Sequence, residues 1–146
     1  MSVTISGNSN LVLQVVQSTA TAAASTTGTT YIATSLTATI TPSSASNKVL
    51  ISFTGPAYST GSNYVYVTVY RNGTTNLGLG SIAALATTGN NPGTYDTSVT
   101  SMYLDSPSTT SATTYTVYIK SSGGTAAVWG DVSNCGQVMI LQEIAA

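Results

Sequence analysis

Residues 104–120 read LDSPSTTSATTYTVYIK, and the second half of that stretch decides the fold class. From Thr113 onward, Tyr115, Val117 and Ile119 alternate with Thr114, Thr116, Tyr118 and Lys120. Side chains of an extended chain point to opposite faces in turn, so a period of two marks a β-strand with one apolar face. Upstream, Asp105-Ser106-Pro107 reads as a turn. Asp can bond its own downstream backbone, and Pro has no N–H to give a ladder. Downstream, Ser122-Gly123-Gly124 ends the strand with residues that tolerate positive φ.

The same pattern recurs on both sides of this stretch. Residues 31–41 place Leu36, Ala38 and Ile40 on one face and Thr37, Thr39 and Thr41 on the other, until Pro42 stops them. Residues 48–54 turn Val49, Ile51 and Phe53 inward, and Gly55-Pro56 reads as the break. Residues 64–71 carry Val65, Val67 and Val69 opposite Tyr64, Tyr66 and Tyr70. Asn72-Gly73 follows at once, the strongest short hairpin signal, with positive φ required at both residues. With Thr74 the pair also matches the N-glycosylation pattern, but the turn reading is preferred. Residues 77–85 are expected to be the returning strand, weakened by Gly78 and Gly80.

A first strand over residues 11–16 puts Leu11, Leu13 and Val15 on one face, and residues 18–30 read as loop and edge strand. Residues 95–104 lead into the opening stretch, residues 126–132 hold Trp129, and residues 137–144 close the chain. Residues 1–10 are polar and read as an N-terminal arm, leaving one domain over residues 11–146. No segment shows helical periodicity with caps. Many short strands separated by Gly, Pro and Asn turns predict an all-β antiparallel β-sandwich, jelly-roll-like, with an immunoglobulin-like sandwich as the alternative.

Charged residues make up only 5% of the 146, with a net charge of -1. The usual fraction is roughly 25%. Three basic residues give no footprint for nucleic acid or an anionic membrane. No basic segment precedes an apolar one at the N-terminus, so no signal peptide is read. The longest apolar run, residues 138–141, falls far short of the ~20 residues that span a bilayer. A near-neutral surface resists aggregation poorly, which suits a protein held in a fixed assembly. A hydroxyl-rich secreted domain is the alternative.

Chemistry is sparse. There is no His to serve as base beside a nucleophile, and the single Cys, Cys135, reads as a small buried residue. Neither a metal set nor a cofactor loop is present in the sequence. Asp96, Asp105, Asp131 and Glu143 show no local pairing and read as caps and edge charges. An enzyme is therefore not expected. Aromatic residues remain as binding candidates: Tyr64, Tyr66, Tyr70 and Trp129 offer flat amphipathic faces for sugar rings, for a neighbouring subunit, or for cross-strand pairing within the sheet. Residues 137–144 suggest a subunit interface, because Val138 and Ile140 lie on one face and Met139 and Leu141 on the other. One face fits the domain's own core; the other needs a second layer or a neighbour.

Several segments together resemble small bacteriophage virion proteins. They are LQVVQ at Leu13, TATITPSSASNKVLISFTG from Thr37, YRNGT at Tyr70, LDSPSTTSATTYTVYIKSSGGT from Leu104, and ILQEIA near the end. The resemblance implies a β-sandwich, often trimeric, with structural or receptor-binding work and no catalytic residues. Tail fibres usually add a long shaft or attachment domain, which this sequence does not carry. The resemblance therefore favours a capsid decoration (cement) protein, made in the host cytoplasm and placed on the virion. Its partners would be itself, as a homotrimer, and the major capsid protein or another virion protein. A tail-associated module recognising host surface glycans is the alternative.

Overall fold

A computed structural model describes residues 11–89, 97–124, 126–130 and 136–146. The strands are β1 (Val12–Ala20), β2 (Ala24–Thr26), β3 (Ile32–Ile40), β4 (Lys48–Ser59), β5 (Tyr64–Arg71), β6 (Thr75–Asn76), β7 (Ala86–Gly89), β8 (Thr97–Asp105), β9 (Thr113–Ser121), β10 (Ala127–Trp129) and β11 (Gln137–Ile144). The alternation read at Thr113 becomes β9, whose Tyr115, Val117 and Ile119 are fully buried. Leu36, Ala38 and Ile40 of β3, and Val49, Ile51 and Phe53 of β4, are buried likewise, as their spacing predicts.

The strands form two antiparallel sheets, with β11 and β8 flanking β4 in sheet A and β9 and β7 flanking β5 in sheet B. Setting the short β2, β6 and β10 aside, sheet A runs β1-β11-β4-β8 and sheet B runs β3-β9-β5-β7. The pairing is nested. β5 pairs β7, β4 pairs β8 outside them, β3 pairs β9 outside those, and β1 pairs β11 outermost. A long hairpin rolled over on itself gives this order, which is the jelly roll among antiparallel β-sandwiches. Side chains from both sheets share one core, in which Trp129 meets Phe53 edge to face at 6.0 Å. Such aromatic contacts stabilise beyond the area they bury.

Several local readings are corrected. Gly55-Pro56 does not end a strand, because β4 runs through both. Gly55 faces inward beneath Trp129, where an added Cβ would lie 2.6 Å from ring atom Cζ2, so the glycine makes room for the indole. The Pro56 carbonyl accepts from the Gly130 N–H at 2.8 Å. The return over residues 77–85 is not one strand. After β6 the chain makes a small loop, closed by a Leu79–Ala84 bridge with Gly80 and Ala83 at positive φ, and pairing with β5 resumes at β7. Gly78 packs so closely on the Ala83 backbone that no Cβ fits there.

Asp105 is no turn residue either; it ends β8, buried. Asn72 and Gly73 do form the tight turn, with φ of 51° and 69°. Residues 1–10, read as an arm, lie outside the described residues, as do Asp96, Asp131 and Cys135.

Candidate functional site

Two side-chain carboxylates, Asp105 and Glu143, lie among the described residues. Glu143 is buried at the β1–β11 seam, where it accepts from Gln14 Nε2 (2.6 Å), Asn47 Nδ2 (2.6 Å), the Ser43 N–H (2.7 Å) and Ser43 Oγ (2.8 Å). Burial alone pushes its carboxyl up. The hydrogen bonds from Asn47, Gln14 and Ser43 overcome that and hold it down at about 2. Asp105 accepts from Arg71 Nη1 at 3.0 and 2.9 Å and from the Tyr115 hydroxyl at 2.7 Å. This ties β8 of one sheet to β5 and β9 of the other. Burial, and then the bond to Asp105, drive the Tyr115 hydroxyl far above its ordinary range. Both carboxylates are thus enclosed by their own donors. Among the described residues, no group of three or more His, Cys, Asp or Glu could hold a metal.

The outer face of sheet B carries the tyrosines, brought there by their alternation with the buried valines of β5. Tyr70 stacks on Tyr118 with ring centres 4.1 Å apart, and Tyr31 meets Tyr70 edge-on at 6.0 Å. Tyr64 and Tyr66 lie nearly parallel at 6.1 Å. Lys120 Nζ sits 4.5 Å from the Tyr31 ring centre and 5.5 Å from that of Tyr66, and it donates to the Ile82 carbonyl at 3.2 Å. Tyr31 donates to the Ala83 carbonyl at 3.0 Å; burial, with Tyr70 and Tyr66 near, raises its hydroxyl to about 12. Beside Tyr66, the loop from Leu79 to Ala86 borders an open groove of about 310 Å³. Elsewhere on this face hydroxyls pair across strands, Thr37 with Thr116 at 2.9 Å and Thr39 with Thr114 at 2.8 Å. The tyrosines therefore pack largely on one another, Tyr70 with Tyr118 across strands and Tyr64 with Tyr66 along β5. Trp129 is not on this face or any other. It is 0% exposed, and its Nε1–H donates to Gln137 Oε1 at 2.6 Å.

Sheet A has a different outer face. Three rows cross it: Val15–Gln142–Leu50–Leu104, Gln17–Ile140–Ser52–Met102 and Thr19–Val138–Thr54–Thr100. Val12, opposite Ile144, extends it at one end. Val15 is 58% and Met102 68% exposed, while Val12 and Leu104 are also exposed and Val138, Ile140, Ile144 and Leu50 are half-buried. Among the described residues, only Lys48, at one end of β4, brings a charge to this surface.

The four residues predicted for an interface thus divide. Val138 and Ile140 lie on this outer face. Met139 and Leu141 are 0% exposed and fill the domain's own core, which the sequence could not assign because both faces of β11 are apolar. Sequence reasoning missed Met102 and Leu104, which alternate with Tyr103 in the β8 run, and it left open the side to which Leu11, Leu13 and Val15 turn. A bulge between Val12 and Gln14 places Leu13 outside the regular pairing, so Gln14, Val16, Ser18 and Ala20 face the core and the larger apolar side chains are exposed. Comparison with protein-family models and with curated proteins returned no match.

Proposed function

We propose that this chain is a structural protein of a bacteriophage virion, a decoration (cement) protein that stabilises the head as a homotrimer bound to the major capsid protein. The observation that carries the reading is the contrast between the two outer faces. Sheet B covers most of its strand surface with hydroxyl pairs and stacked rings, its exposed apolar groups being Tyr64 and the loop residues Leu79 and Ile82, whereas sheet A, with one such pair (Thr54–Thr100), presents Val12, Val15, Met102 and Leu104 from the strands themselves. Contiguous exposed apolar surface rimmed by neutral polar groups marks a site of protein contact. The 5% charge content agrees, since charges are depleted where protein surfaces meet. Electron microscopy of virions labelled with antibody to this chain tests the role. Labelling spread over the head in many copies is expected, and absence from the particle refutes it.

A second reading, a tail-associated module that recognises host glycans, is favoured by the groove beside Tyr66, with Tyr64 exposed nearby. Glycan-array binding lost in Tyr66→Ala, with label at the tail, would select it over the first.

A further inference from the structure

We infer that the groove beside Tyr66 is a binding site for a small amphipathic acid, one carboxylate on a short apolar body, and that Lys120 receives the carboxylate. Such a site is independent of the capsid role proposed above, and it gives the groove a different occupant from a glycan. Strand pairing lays down the floor. Lys120, Tyr66 and Thr87 are direct partners across β9, β5 and β7, so a cation, a ring and a hydroxyl form one row on the outer face of sheet B. The loop leaves the sheet where Leu77 and Leu85 donate to the Val69 and Val67 carbonyls, so it stands on one side of that row, with Tyr64 on the other. Tyr31 and Lys120 donate to the Ala83 and Ile82 carbonyls, which draws the loop over the outer face as a wall.

The lining selects the ligand. Lys120 Nζ gives one of its three N–H donors to the Ile82 carbonyl and rests over the Tyr31 and Tyr66 rings. Among the described residues no side-chain carboxylate faces it, because Asp105 and Glu143 are enclosed elsewhere by their own donors. A cation with donors to spare at the margin of a groove favours an anion, and a carboxylate accepts from it by charge-assisted hydrogen bonds. The body of the ligand is set by the wall, where Leu79 is 63% and Ile82 43% exposed and Leu85 lies behind them. An apolar chain or ring laid against these side chains takes their surface out of water. A sugar presents hydroxyls around its whole ring, and among the described residues only Tyr66, Ser81 and Thr87 bring polar side chains to the groove. The wall is also built in advance. Ala83 is held at positive φ, rare for a residue with a Cβ, and its carbonyl accepts from both Tyr31 and Asn76 Nδ2. A wall already ordered lowers the cost of binding. At about 310 Å³ the groove is at the small end of ligand sites, which suits a short acyl chain or a single ring.

Amide NMR of the full chain, titrated separately with hexanoate, hexanol and glucuronate, tests this. Hexanoate should shift the signals of Lys120 and of residues 79–87, with a dissociation constant in roughly the millimolar range, as an open groove with one ion pair allows. Hexanol has the same chain without the charge and should bind several-fold more weakly. Lys120→Met keeps the aliphatic stem and should erase that difference. Ile82→Glu changes an exposed side chain and sets a carboxylate in the wall, so it should weaken hexanoate more than hexanol. Circular dichroism of both variants checks that the fold is kept. Hexanoate that binds no better than hexanol, or equally well to wild type and to both variants, overturns the inference. Glucuronate binding more tightly than hexanoate overturns it in favour of the glycan reading. Unmoved signals with every probe at tens of millimolar refute any such site, and the labelling of virions then still decides the capsid role by itself.

Discussion

Glu143 shows how much one side chain can organise. Its four hydrogen bonds come from β1, from the turn after β3 and from Asn47, whose own Oδ1 accepts the Ala146 N–H at 3.2 Å. Replacing one carboxylate oxygen by an amide N–H, as in Glu143→Gln, would aim a donor at donors. A cost of about 2–4 kcal/mol is expected, measurable by urea unfolding. The pH dependence has a definite sign. A carboxyl held at about 2, against an ordinary value of 4.5, gives its stability in full above the higher value and loses it as pH falls towards the lower. The melting temperature should therefore fall as the medium is acidified through that window, and fall less steeply in Glu143→Gln. A wild-type melting temperature that stays level there would contradict the assignment.

At the scale of the element, the β5–β6 turn is the feature most open to a single test. Asn72 and Gly73 both take positive φ; the Thr74 N–H reaches the Arg71 carbonyl at 3.2 Å, and Asn72 Oδ1 accepts the Thr114 N–H at 2.9 Å. A β-branched residue resists that conformation, so Gly73→Val should cost about 1–2 kcal/mol or more. Thermal melting checks this, and an unaltered transition would show the turn to be adaptable. The turn was legible because its cause is local, two adjacent residues of special conformational freedom. The same holds for the inward faces of β3, β4 and β9, where apolar residues at period two need no knowledge of a partner. Gly55 was misread because its cause lies elsewhere in the chain, in an indole more than seventy residues away. Asp105 was misread for the same reason, since Arg71 and Tyr115 give it a role that no neighbouring residue announces. Tyr64, Tyr66 and Tyr70 of β5 do share a face, but the ring contacts of Tyr70 come from Tyr31 and Tyr118, elsewhere in the chain.

For the whole molecule, the two faces of sheet A make opposite predictions. Met139→Asp with Leu141→Asp buries two carboxylates in the shared core and should abolish the fold, seen as loss of the β-sheet dichroism signal. Val15→Asp with Met102→Asp alters exposed side chains, so the fold should persist with a melting temperature within a few degrees of wild type while sedimentation shifts to monomers. A fully folded first variant would mean that the core is assigned to the wrong side of the sheet. An unfolded second variant would mean that these exposed residues are needed for folding and not for contact alone.

The nested pairing also governs when the protein can form. Gln14 and Glu143, joined in the outermost pair, lie 129 positions apart, so β1 has no strand to pair with until β11 has left the ribosome. β5 can pair early with β6 and β7, and the roll then has to grow outward from that tip. Ordering of so many distant contacts is slow, typically milliseconds to seconds for all-β domains, because loop closure is costly before the contacts exist to offset it. Meanwhile VLQVVQSTA waits as an uncharged, proline-free strand, the kind of segment that pairs with strangers. Production of this protein should accordingly be limited by synthesis rate and chaperone supply, and slower translation at low temperature should raise the yield of correctly rolled chains.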